Sequence, residues 1–85
     1  MADDSLARVA AAATEGDAKT LAQGAHSLKS SAANLGADAL AACYRELEKL
    51  GREGRIDDAR ALIEPTRHEQ QRALRELRDL LLESA

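Results

Sequence analysis

His26 stands one helical turn before Lys29 in the stretch Ala25-His26-Ser27-Leu28-Lys29-Ser30-Ser31. Imidazole is the side chain best suited to accept a group or a proton near neutral pH. A fixed cation beside it, with only small side chains on the flanks, suits a group that must meet another protein and carry an anion. The remaining reactive side chains point elsewhere. His26, Cys43 and His68 do not have the spacing of a zinc site, and Cys43 is the only cysteine. No glycine-rich phosphate loop is present, and 85 residues leave no room for a nucleotide-binding domain. Spacing alone does not separate a working His26 from an ordinary solvated one, because a lone histidine on a helix surface is usually inert.

The element that must present His26 is a helix. Ala18, Leu21, Ala25, Leu28, Ala32 and Leu35 recur at steps of three and four, which marks a core-facing seam. At about 100° per residue, His26 projects roughly 130° from the middle of that seam and Ser30 roughly 170°. Lys19 and Gln23 share the outer side, while Ala22 and Ala33 border the histidine. Lys29 sits on the flank within reach of His26. Asp17 is the expected N-cap, and Gly36 the expected left-handed stop.

Three further helices are expected, at about residues 5–14, 37–52 and 56–83, with the histidine helix at 17–35. The first takes a cap from Asp3, Asp4 or Ser5 and an apolar side of Leu6, Val9, Ala10 and Ala13. The third carries Leu40, Cys43, Leu47 and Leu50 as its seam, with Gly51 and Gly54 at its end. The fourth runs through Ile63, Leu74, Leu77, Leu80 and Leu81, and Pro65 is expected to kink or divide it. Its Arg and Glu residues, including the pairs Arg72–Glu76 and Arg75–Asp79, read as a solvated face, as does His68. Gly24 inside the second helix is expected to permit close helix approach. No strand pattern appears. The expected fold is all-α, one domain over 1–85, an antiparallel up-and-down four-helix bundle with a short first helix.

Composition narrows the function. Apolar residues make up 45% of the chain, half of them alanine, with Tyr44 the single aromatic, so the core is thin. A net charge of -3 with both signs interleaved argues against nucleic-acid binding. The longest apolar run, Val9 to Ala13, is far short of a membrane span, and the acidic start shows no signal peptide. A lone cysteine fits a reducing compartment, and the cytoplasm is the expected location.

Ala25-His26-Ser27-Leu28-Lys29-Ser30-Ser31-Ala32-Ala33-Asn34-Leu35-Gly36-Ala37 resembles the signature of histidine-containing phosphotransfer (HPt) domains. That signature reads Ala-His-x-Leu-Lys-Gly-Ser, then small residues and Leu-Gly. The likeness continues through Leu40, Cys43, Leu47-Glu48 and Gly51 and covers most of the chain. Two family glycines are replaced, by Ser30 and by Ala33, and both replacements keep the surface low. Many members carry an additional leading helix; the expected first helix here is short with almost nothing ahead of it, so the chain is either an excised module or a member without that helix.

The resemblance implies a phosphorelay intermediate. His26 would take a phosphoryl group on Nε2 from a receiver-domain aspartate and pass it to another response regulator. Lys29 would supply positive charge and Ser30 a hydrogen-bond donor. Glu48 would accept a hydrogen bond from Nδ1–H and orient the ring, or else be a surface acid paired with Arg52 or Lys49. Ala22, Gln23, Ser27 and Ala33 would meet the partner. Mg²⁺ would come with the receiver, and no bound cofactor is implied. A histidine kinase's own phosphorylated histidine is typically followed by an acid, whereas Ser27 follows here, so autophosphorylation from ATP is not expected. The small size and absent leading helix suggest the C-terminal module of a hybrid sensor kinase, a free-standing protein being the alternative. The competing reading is a helical interaction or dimerisation module in which His26 is incidental.

Overall fold

The computed structural model describes residues 2–84, with side chains described for 6–83. Four helices follow in order: α1 (Ala2–Glu15), α2 (Ala18–Asn34), α3 (Asp38–Arg52) and α4 (Ile56–Ser84). They form an antiparallel four-helix bundle in which α2 packs on α1 and α3, and α4 closes the ring against α3 and α1. Short turns force this topology. The α2–α3 turn is typical. Gly36 adopts φ +77°, its N–H bonds the Ala33 carbonyl at 3.1 Å, and the Ala37 N–H bonds the Ala32 carbonyl at 2.9 Å. That Schellman arrangement satisfies carbonyls the helix leaves over and favours glycine at the left-handed position. At the other end of α2, the Asp17 carboxylate accepts the Thr20 N–H at 3.1 Å, which lowers the Asp17 pKa. Among the described residues, no helix is long and apolar enough to cross a membrane.

The core is built from Leu6, Val9, Leu21, Ala25, Tyr44, Leu47, Ala59 and neighbouring small residues. Several expected core positions differ. On α1, Ala12 is buried and Ala10 only partly so; the helix starts at Ala2, and caps at Asp3, Asp4 or Ser5 fall outside the described side chains. On α3 the seam runs through Leu40, Tyr44, Leu47 and Gly51, leaving Cys43 half-buried. Tyr44 keeps the same three-four spacing and brings far more apolar surface than a thiol. Burial pushes its phenol pKa up to about 12. On α2, Leu35 is the C-cap residue and lies exposed.

The largest departure is α4. At 1.5 Å per residue its 29 residues span about 43 Å, nearly the full 45 Å length of the molecule. The other helices have 14–17 residues. The end of α4 therefore outruns its neighbours, and Leu74, Leu77, Leu80, Leu81 and Leu82 are exposed instead of forming core. Pro65 lies inside one unbroken helix and does not divide it. Arg60 is more than a solvated charge: its Nε donates to the Ala13 carbonyl at 2.8 Å and its Nη2 to the Thr14 carbonyl at 3.1 Å. It thereby satisfies the last carbonyls of α1 and ties that helix to α4.

Gly51 sets the α2–α3 separation. It lies buried in the last turn of α3, and a Cβ there would stand 2.6 Å from Leu21 Cδ2 and 3.0 Å from both Ala22 Cβ and the Ala22 backbone nitrogen. The leucine tip can move, but the backbone cannot without displacing α2. Gly51→Ala is expected to lose about 1–2 kcal/mol net, since overpacking outweighs the helix-propensity gain. Urea denaturation of the two proteins measures it.

Candidate functional site: an exposed imidazole on a buried carboxylate

The α2–α3 interface brings three sequence-predicted site residues together. The His26 side chain is 57% exposed, and its Nδ1 lies 2.9 Å from Glu48 Oε2. Lys29 Nζ donates to Glu48 Oε1 at 2.8 Å. Glu48 itself is only 4% exposed. It is therefore not a surface acid, although Arg52, one turn further along α3, also reaches it, with Nη2 2.6 Å from Oε2. Lys49, on the exposed side of α3, is not among its partners.

Helix geometry explains the convergence. His26 and Lys29 are three apart on α2 and so share a flank, while Glu48 and Arg52 are four apart on α3. Gly51, between them, lets the two flanks approach closely. A buried carboxylate is costly unless its charge is met, and here three donors meet it. The Lys29 hydrogen bond is the largest influence lowering the Glu48 pKa. Burial opposes it, and the His26 hydrogen bond and the Arg52 charge add to it.

The consequence for pH has a definite sign. A carboxylate whose folded pKa lies below its ordinary 4.5 adds stability that is full above 4.5. That contribution is lost as pH falls through the lower folded value. The Glu48 carboxyl carbon, followed by NMR, is expected to titrate with a midpoint below 4.5 in the folded protein and near 4.5 in urea.

The carboxylate also fixes the imidazole. An ionised carboxylate only accepts hydrogen bonds, so the facing Nδ1 is the nitrogen that carries the proton. In the neutral ring with its proton on Nδ1, Nε2 keeps its lone pair.

The other predicted residues lie around it. Ser30 is exposed, and its hydroxyl donates to the His26 carbonyl at 3.4 Å. Gln23 and Ser27 are exposed and line a cleft of about 340 Å³ between α1 and α2, together with Arg8, Val9 and Gly24. The Gly24 position sits close to α1, where a Cβ would stand 2.8 Å from Val9 Cγ2. Ala33 is exposed, whereas Ala22 is half-buried against the Gly51 position of α3. Sequence reasoning did not single out Arg8, because nothing in local spacing ties α1 to the outer side of α2. His68 is exposed on α4. Among the described residues, no group of three or more His, Cys, Asp or Glu side chains is placed to hold a metal ion.

No curated protein and no solved structure matches the chain. The Hpt domain family matches residues 1–84, a span that takes in all four helices and the His26–Glu48 pair. The chain belongs to the Hpt domain family, whose role is histidine phosphotransfer in phosphorelays with response regulator receiver domains.

Proposed function

We propose that His26 is the phosphoryl acceptor and donor of a relay between two receiver domains. The observation that supports this reading best is the exposed ring backed at Nδ1 by the buried Glu48 carboxylate. The Nε2 lone pair attacks the phosphorus of a receiver's aspartyl phosphate. The N–P bond forms as the aspartyl O–P bond breaks, and the leaving electron pair stays on the aspartate carboxylate. The Nδ1 proton does not move. The phosphorylated ring then carries a positive charge, which Glu48 faces directly. Transfer to the next receiver reverses each step, with the N–P electrons returning to Nε2.

Catalysis of such a transfer rests on alignment and on charge around the phosphoryl oxygens. Lys29 is the near cation, one turn from His26, and its ammonium reaches the phosphoryl group by leaving Glu48 Oε1. Arg52 stays behind to balance the carboxylate. The Ser30 hydroxyl contributes a donor after turning from the His26 carbonyl. Mg²⁺ comes with the receiver, and no residue of this chain is assigned to it. The relay is assigned to the cytoplasm, with the domain acting alone or within a hybrid sensor kinase.

Incubation with a receiver phosphorylated by acetyl phosphate tests the proposal. An acid-labile, base-stable phosphoryl adduct on this chain is the expected product. The exposed leucines of α4 favour a second reading, a helical interaction module with an idle His26. That reading requires no adduct.

A further inference from the structure

The charge of this acidic protein is distributed unevenly, and the uneven part surrounds His26. The chain carries a net charge of -3, yet residues 18–37 contain Lys19 and Lys29 and no acid. Lys19 precedes His26 by seven residues, two helical turns, so the two leave α2 within roughly 20° of one direction. Lys19 is exposed. From the flanking helices, Arg52 adds a side chain that is 69% exposed, and Arg8 lines the cleft beside Gln23 and Ser27. The acids nearest these groups are Glu48, buried beneath Lys29 and Arg52, Asp17, which caps α2, and the exposed Glu15 and Glu53 at the ends of α1 and α3. The helix that carries His26 thus presents two lysines and no acid, and the carboxylate nearest the ring is covered, while the chain as a whole is acidic.

We propose that this cationic rim is a steering surface for the phosphorylated face of a receiver, with Lys19 as a determinant of encounter that takes no part in the chemistry. The inference rests on the transfer reading above. An aspartyl phosphate concentrates about two negative charges at the point that must reach Nε2. A rim of opposite sign raises the rate of productive encounter and makes it fall with salt, because exposed charges are screened over about 8–10 Å at physiological ionic strength. Such rim charges act on association and leave the bound-state chemistry largely unchanged.

The test compares wild type, Lys19→Glu and Arg75→Glu. Arg75 is an exposed residue of α4, so its reversal alters net charge equally but away from the rim. The donor is the acetyl phosphate-loaded receiver that transfers fastest in a panel, and phosphoramidate serves as a small donor that needs no docking. For wild type, the second-order rate constant is expected to fall about tenfold between 20 and 300 mM NaCl. Lys19→Glu lowers it about five- to tenfold at 20 mM and flattens the salt dependence. The rate at saturating receiver and the labelling by phosphoramidate stay within twofold. Arg75→Glu behaves as wild type.

Equal rates for Lys19→Glu and wild type at every salt concentration overturn the inference. So does an equal slowing by Arg75→Glu, or labelling by phosphoramidate with no transfer from any receiver. If neither donor labels His26, the transfer reading falls, and the steering surface falls with it.

Discussion

Replacing His26 with Gln is expected to reduce phosphoryl uptake from a receiver to background while leaving the helical fold intact. The ring is largely in water and contributes nothing to the core, so its loss removes no packing. Glutamine is a good helix former, and its amide can still donate to Glu48. Stability should therefore change by no more than about 0.5 kcal/mol, the usual range for surface substitutions. What the amide lacks is a nucleophilic lone pair, and no other described histidine lies near the site, since His68 is on α4. Radiolabelled transfer followed by gel, alongside circular dichroism, reads both outcomes. Residual labelling at the wild-type rate would place the acceptor elsewhere.

Glu48→Ala carries the second-largest expected effect, a loss of about 10- to 100-fold in the transfer rate at saturating receiver, comparable with removal of other carboxylates that orient a histidine. The loss has two sources. Without the acceptor at 2.9 Å, nothing keeps the proton on Nδ1, so the nucleophilic nitrogen is unprotonated only part of the time. Without the negative charge, the phosphorylated ring also loses its counterion. Lys29 and Arg52 both retain access to water, at 29% and 69% exposure, so the cations left behind do not unfold the protein. Glu48→Gln restores an acceptor without the charge and should fall between the two. Nitrogen chemical shifts of His26 report the tautomer directly and would not move if Glu48 served only the fold. An unchanged rate in Glu48→Ala would remove the carboxylate from the mechanism.

Four helices, their antiparallel order and the α2 boundaries are legible in the sequence because they depend on local signals. Apolar steps of three and four define each helix, Asp17 caps α2, and Gly36 supplies the conformation that ends it. The outward projection of His26 follows from the same periodicity. Features set by tertiary geometry are not legible in this way. Leu74, Leu77, Leu80 and Leu81 have core-like spacing, but spacing does not reveal that α4 extends past every neighbour. Cys43 and Tyr44 both fit the α3 periodicity, and only packing against the bundle selects the tyrosine. Arg60 meets carbonyls 46 and 47 residues earlier in the chain, beyond any local pattern.

Glu48 shows the limit most clearly. Its neighbours along α3 give an acid beside Leu47, with Arg52 four residues ahead, which describes an ordinary surface pair equally well. The family resemblance supplied the link to His26. The physical reason for it is the closeness of α2 and α3 at Gly51, which brings one flank of each helix together around the buried Glu48 carboxylate.

Nuclear magnetic resonance of the phosphorylated, ¹⁵N-labelled protein identifies the acceptor nitrogen, through long-range proton–nitrogen and phosphorus correlations within the His26 ring. Phosphorus bonded to Nε2, with a proton retained on Nδ1 against Glu48, is the expected result. Phosphorus on Nδ1, or on any residue other than His26, would contradict it.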